Sequence, residues 1–442
     1  RSSAASDVYK RQVHADIEDE NQTVYIPDVH TTATATDTED HVTGANEEVT
    51  ITDEVALTGL KVGNEYTVKG VLMDRNTGAE IQVGGESITD EKTFTAETAD
   101  MTVTLTYTLD ASKLAGTTTV VFETLYTAVT EEMGVEVGRH HDIDDEGQTV
   151  YIPEIHTTAT DQKTGINHTE SEEQATIVDT VLYSHLLPGK EYTVKGTLMN
   201  KETGEAILIN GEEVTAETTF TAEKSEGSVE VVFTFDASVL EGTTVVAYEN
   251  LTYKGVEVAI HADITDKDQT VYIPKIRTKA IGDDTKDHVT EAKKDVTIVD
   301  TVSYEGLEVG REYTVKGVLM NKATGKAILV DDKEVTAETT FVPETTDGTV
   351  DVTFVFDGSA LEDTLLVAFE TLYTEEKEVG IHAEIEDDAQ TVYLPKIRTN
   401  AKDGITDIDH TEALEKATII DTVSYSLSLI HISEPTRLAL IS

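Results

Sequence analysis

The sequence predicts an all-β protein, a tandem array of β-sandwich domains, and three observations carry that expectation. One phrase is written four times: a His eight residues ahead of a Gln-Thr-Val-Tyr-(Ile/Leu)-Pro run, at His14/Gln22, His140/Gln148, His261/Gln269 and His382/Gln390. The Gln positions step by 126, 121 and 121 residues, which marks one domain type repeated. Between these phrases lie short alternating segments rich in Thr and Val, broken by turn residues at intervals of about 8–12. Helical periodicity does not extend beyond single turns around Ala111 to Leu114, Ala237 to Leu240 and Ser359 to Leu361.

The repeat period divides the chain into three complete units, 28–153, 154–274 and 275–395. Residues 13–27 read as the C-terminal stub of a preceding unit and 396–426 as the opening of the next. Residues 1–12 and 427–442 fit neither the repeat nor its acidic composition. They resemble translated sequencing-adapter sequence and are set aside from fold reasoning. The natural gene is then expected to continue both ways, so missing export and anchoring signals carry no meaning.

Each unit reads in the same order. An opening strand (Val29 to Ala35, Ile155 to Thr160, Ile276 to Ala280) leads into a polar loop holding Asp-His or Asn-His. A strand with Asp-Thr-Val or a variant follows, as in Thr176 to Tyr183. A Glu-Tyr-Thr-Val-Lys-Gly strand begins at Glu65, Glu191 and Glu312, and an Asn/Lys-x-Thr-Gly turn comes after it. Two longer strands, such as Ser228 to Asp236 and Thr243 to Tyr253, precede the segment that carries His and Gln.

Bulk composition excludes several functions. A formal net charge of -53 rules out nucleic acid as a partner. It suits a solvated, self-repelling rod and can draw divalent cations such as Ca²⁺. No apolar run approaches the roughly 20 residues that cross a bilayer. There is no Cys, so a secreted array of small β domains would need a staple other than a disulfide.

Strand parity locates candidates for that staple, because side chains alternate faces. Thr31 shares a face with Val29 and Ala33, Thr157 with Ile155 and Ala159, and Thr278 with Ile276 and Ala280. Asp53, Asp179 and Asp300 fall among the apolar positions of their strands, as do Glu123, Glu249 and Glu370. Gln148, Gln269 and Gln390 also share the apolar parity. Buried carboxylates are costly unless paired, hydrogen-bonded or protonated. Two readings follow. One is a hydrogen-bond network that fixes strand register. The other is a reaction, with the Thr hydroxyl as nucleophile, the Gln amide as electrophile and His140, His261 and His382 moving protons. One carboxylate would orient the His and the other, held protonated by burial, would donate to the amide oxygen. His261 lies on the wrong parity for this, so a bulge or strand switch is required.

These residues resemble the Thr–Gln ester-bond domains, or VaFE repeats, of Gram-positive surface proteins. The naming run stands at Val367-Ala368-Phe369-Glu370, with variants Val120-Val121-Phe122-Glu123 and Val246-Ala247-Tyr248-Glu249. The opening I/V-x-T-x-A, the Asp-Thr-Val strand and the closing His-to-Gln phrase match as well; departures are Asp53-Glu54-Val55 in unit one and His141 after His140. The resemblance implies immunoglobulin-like sandwiches with self-formed esters Thr31–Gln148, Thr157–Gln269 and Thr278–Gln390, assisted by the Asp, Glu and His above. It implies a stalk segment of an extracellular, cell-wall-anchored adhesin or pilus-like protein, monomeric, without an external substrate or a cofactor. A host or matrix ligand would be bound by a domain outside this chain. The flanking sites are incomplete: His14 and Gln22 lack a Thr, and Thr399 and Asp421 lack a Gln. The alternative is a ligand- or Ca²⁺-binding surface module whose polar cluster is only a hydrogen-bond network; a hydrolase is weighed below both.

Other repeated residues carry less. His41, His168, His288 and His410 read as loop turn residues ahead of metal ligands. Lys69, Lys195 and Lys316 would suit a Lys–Asn isopeptide, but their parity points to solvent. Acidic stretches such as Asp142 to Glu146 lack the ligand spacing of a dedicated Ca²⁺ loop.

Overall fold

A computed structural model describes residues 16–17, 19–127, 134–413 and 416–426. These residues form strands joined by turns and short 3₁₀ segments, and the strands build three sandwiches in series. His14 and both adapter-like ends lie outside the described residues.

Each sandwich has a three-stranded sheet that begins with the opening strand. We call Asp28–Ala35, Glu154–Asp161 and Lys275–Gly282 the Thr strands. Each pairs antiparallel with an Asp strand, Val49–Thr58, Ala175–Ser184 or Val296–Glu305. A third strand, Met101–Leu109, Gly227–Phe235 or Gly348–Phe356, completes the sheet. The facing sheet centres on the Glu strands, Thr117–Thr127, Thr243–Tyr253 and Thr364–Thr374. On one side each pairs with the Tyr-Thr-Val-Lys-Gly strand (Glu65–Asp74, Glu191–Asn200, Tyr313–Asn321). On the other it pairs with a His strand (Glu136–His140, Val256–His261, Lys377–His382) and then with a Gln strand (Thr149–Ile152, Thr270–Ile273, Thr391–Leu394).

Alternation does most of the folding work. In Val49–Thr58 the residues Val49, Ile51, Asp53, Val55 and Leu57 are buried, while Glu54, Ala56 and Thr58 are exposed. Three apolar clusters, one per sandwich, fill the space between sheets. Tyr107, Phe233 and Phe354 project from the third strand towards a glycine of the facing sheet. A Cβ on Gly196 would stand 2.3 Å from the Phe233 ring, and one on Gly70 only 1.7 Å from the Tyr107 hydroxyl. Glycine is required there because the ring packs directly on the backbone. Those glycines pair with Glu123, Glu249 and Glu370, so each aromatic ring packs beside the strand pair that holds a buried acid.

Lys69 pairs with Glu91 at 2.7 Å on the outer face, Lys195 is exposed, and Lys316 lies over the Tyr373 ring. Among the described residues no helix is long and apolar enough to cross a membrane, and no group of three or more His, Asp or Glu converges as a metal site.

Candidate functional site

The Thr strand and the Gln segment meet at the edge of each sandwich, where the two sheets come together. Gln148 Nε2 donates to Thr31 Oγ1 at 2.5 Å, Gln269 Nε2 to Thr157 Oγ1 at 2.9 Å and Gln390 Nε2 to Thr278 Oγ1 at 3.0 Å. Partners in these pairs stand 117, 112 and 112 residues apart. The same amide nitrogens donate to Oε2 of Glu123, Glu249 and Glu370 at 2.5, 2.8 and 3.2 Å. Thr157 Oγ1 also donates to Glu249 Oε2 at 3.2 Å, so one carboxyl oxygen touches both the hydroxyl and the amide nitrogen.

Asp53, Asp179 and Asp300 complete the cluster opposite the Glu. All three are fully buried, none of their Oδ atoms makes a well-formed hydrogen bond, and each carboxyl lies beside the site Thr hydroxyl and the backbone amide of the residue after that Thr. Each faces its Glu, which likewise has Oε1 unpaired. Two carboxyls in that arrangement are satisfied when one proton lies between them. Burial, reinforced by the neighbouring Asp, pushes all three Glu far above the ordinary carboxylate range, and burial raises the Asp as well.

The His reaches the interior through a β-bulge. Register shifts between Leu125 and Tyr126, between Leu251 and Thr252, and between Leu372 and Tyr373 leave Val137, Val258 and Val379 as the extra residues. Val258 and Val379 bury their side chains, and the shift sets His140, His261 and His382 directly opposite Glu123, Glu249 and Glu370. This is the parity change that alternation alone could not supply.

One expected contact differs. The carboxylate that orients the His is neither of the two buried acids but a third, five residues after it. His140 Nε2 lies 2.8 Å from Asp145 Oδ2, His261 Nε2 3.0 Å from Asp266 Oδ2 and His382 Nε2 3.1 Å from Asp387 Oδ2. Asp145 Oδ1 also accepts from Gly147 N at 2.7 Å and so caps the 3₁₀ turn that ends in Gln148. One side chain thus positions both the His and the Gln. The signal was present in the sequence, since an Asp stands three residues before the Gln in all four phrases. The other ring nitrogen of His140 lies 3.0 Å from Val29 O, and that of His382 3.3 Å from Ile276 O. His261 Nδ1 is unpaired. Burial and Arg277 lower the His382 pKa, against the pull of Asp387. No imidazole in the described residues hydrogen-bonds the Thr hydroxyl or the Gln amide, and the amide oxygens of Gln148, Gln269 and Gln390 have no donor. The Glu therefore contacts the amide nitrogen rather than its oxygen.

The flanking half-sites stay open. Gln22 ends an exposed 3₁₀ turn. Thr399 and Asp421 lie in a two-stranded sheet, Lys396–Asp403 with Ile419–Ser426, and both are exposed.

Comparison with known proteins gives a family. The profile described as T-Q ester bond containing domain matches residues 27–152, 153–273, 274–394 and 395–431. No curated protein matches the chain. Among solved structures, a bacterial adhesin from Mobiluncus mulieris containing intramolecular disulfide, isopeptide and ester bond cross-links is similar at 14% identity, covering 58% of this chain and 87% of its own, with a TM-score of 0.25. Escherichia coli alpha-2-macroglobulin activated by porcine elastase is similar at 11% identity over 85% of this chain and 36% of its own, with a TM-score of 0.21.

Proposed function

The chain belongs to the family of T-Q ester bond containing domains, and from that premise we propose that each complete repeat closes a Thr–Gln ester on itself, with loss of ammonia. The observation that carries the reading is the contact of Gln Nε2 with Thr Oγ1 at 2.5–3.0 Å in three buried sites. The Thr oxygen attacks Gln Cδ, the C–O bond forms and the C–N bond breaks. The hydroxyl proton ends on the departing nitrogen, which leaves as ammonia. Glu Oε2 touches both atoms in repeat two, so it can take the proton from Thr and hand it to the departing nitrogen. The Asp beside it can take up the proton shared by the two carboxyls while Oε2 carries the one from Thr, and return it afterwards. The His–Asp couple fixes the Gln-bearing turn and places an ionisable ring next to the developing charge. This is single-turnover maturation of the protein itself, with no external substrate.

Such a bond joins the first strand of a domain to its last segment. Tension along a stalk enters and leaves there, so the ester would carry load past the interior. Without it, 112 residues at roughly 3.4 Å each could pay out on the order of 400 Å per unfolded repeat. The role that fits is a stalk segment of an extracellular adhesin or pilus-like protein, displayed on a Gram-positive cell wall, with its ligand held by another part of the molecule. Peptide mapping tests the reading: proteolysis should release a linked pair of peptides containing Thr157 and Gln269, absent from Thr157→Ala. Recovery of both peptides unlinked from the folded wild-type chain would overturn it.

A further inference from the structure

The joints between repeats are made by a loop tip that the ester chemistry does not use. In the first repeat the tip is Asp40-His41-Val42. Asp40 Oδ2 accepts from Tyr253 Oη at 2.7 Å and pairs with Lys254 at 2.9 Å and Lys190 at 3.2 Å, all of the second repeat. Burial opposes the charge, yet Lys254, Tyr253, the His41 amide and Lys190 hold this carboxyl well below the usual range. Val42 is fully buried and packs within the second repeat's core.

In the second repeat the tip is Ile166-Asn167-His168. Its backbone repeats the first: Asp161 N donates to Ile166 O as Ala35 N does to Asp40 O, both at 2.8 Å. Tyr272 N donates to Asn167 O as Tyr151 N does to His41 O. His168 therefore occupies the place of Val42, not that of His41, so the repeated loop histidines are not equivalent. His168 is fully buried, 2.6 Å from the Tyr313 hydroxyl of the third repeat, rather than an exposed turn residue. Asn167 Oδ1 accepts from Arg311 at 3.3 Å, and Ile166 packs against the third core.

By the same two backbone bonds Asp287-His288-Val289 repeats the first tip, and by the first of them, Asp403 N to Ile408 O, Ile408-Asp409-His410 follows the second. The tips alternate, and the two sockets that receive one differ. The socket of repeat two offers Lys190 and Lys254; that of repeat three offers Arg311 with Thr374 and Glu375 at the corresponding places, and repeat one has Asn64 and Thr127. Asp287 is exposed and Val289 is 39% exposed, although their backbone is already set as in the seated first tip.

We propose that the Asp287–Val289 tip is a docking plug for a further repeat whose socket carries the lysine set of repeat two. An Asp tip finds two cations there. Against the socket of repeat three it would meet Glu375 and a single cation, Arg311, already paired with Glu308 and Glu375, and against that of repeat one Asn64, so a second copy of this chain docked by its first repeat is not the occupant. Joints would then follow a two-letter pairing rule in which repulsion rejects the wrong neighbour. The inference holds whether or not the esters form.

The test extends the chain after Pro395 with a second copy of either 154–274 or 275–395 and reads amide exchange at residues 286–290. The first extension should slow exchange roughly tenfold or more and the second should leave it nearly unchanged. Lys190→Glu with Lys254→Glu in the added copy should abolish the protection, and Asp287→Ile with Val289→His should shift it to the other extension. A separate thermal transition checks that the added repeat folds. In the present chain, Asp40→Ile with Val42→His should loosen residues 39–43 in the same way, which keeps the test decisive if an extension fails to fold. Equal protection by both extensions, protection by neither, or protection that rises with concentration in the unextended chain would overturn the proposal.

Discussion

Thr278 and Thr399 sit in strands of the same register, yet one is buried and the other lies open to solvent. Thr278 pairs with Val302 and Ala280 with Asp300; Thr399 pairs with Val423 and Ala401 with Asp421. What differs is the facing sheet. In repeat three it brings Glu370, His382 and Gln390 over the Thr strand; the described part of 396–426 has only the two-stranded ladder. The chemistry of the site therefore belongs to the closed sandwich rather than to the Thr–Asp strand pair. Burial raises the Glu and Asp pKa values, and burial needs both sheets.

The largest expected effect that separates the two regions is on stability. Closing a loop of 112 residues should stabilise by about 5 kcal/mol if the chain-entropy treatment of disulfides carries over. Thr278→Ala should lower the melting temperature of repeat three by about 15–20 °C in calorimetry. An equal melting temperature would separate the site from any covalent role.

Next comes rate. Glu249→Gln keeps the side chain's shape but cannot relay the proton between Thr157 and Gln269. Ester formation in repeat two should slow by roughly a hundredfold or more, followed by mass against time after refolding. Unchanged kinetics would reassign the shuttle.

Then comes pH dependence. Glu249 is raised from 4.5 to about 11 in the fold. A raised pKa contributes stability that is complete below the unfolded value and is lost as pH climbs towards the folded one. Thr157→Ala, which lacks the bond, should therefore unfold more easily at pH 9 than at pH 5, by several kcal/mol, about 1.4 for each pH unit. Adding Glu249→Gln should flatten that slope in denaturant titrations; an unchanged slope would place the titrating group elsewhere.

The smallest effect is at the half-site. Thr399→Ala is exposed and without a Gln partner, so denaturant midpoints should move by less than about 0.5 kcal/mol.

Strand alternation made most of the site readable beforehand. Thr31, Asp53, Glu123 and Gln148 all sit in or beside regular strands, where period-two parity fixes the inward face. His140 was not readable that way, because a single extra residue, Val137, reverses the parity and leaves no compositional mark. Asp145 was missed for a different reason. It stands in a turn, where parity has no meaning, and its capping of the Gln segment appears only in three dimensions. The loop histidines misled by letter: His41 and His168 stand 127 residues apart against a step of 126 from Thr31 to Thr157, so they occupy adjacent backbone positions, as the hydrogen bonds to Tyr151 and Tyr272 show.

If three sites close and the flanking phrases do not, intact mass of the folded chain shows it. The expected mass is short by three ammonias against the plain sequence, a deficit that falls by one with each of Thr31→Ala, Thr157→Ala and Thr278→Ala and is unaltered by Thr399→Ala. A mass equal to that of the plain sequence would contradict it.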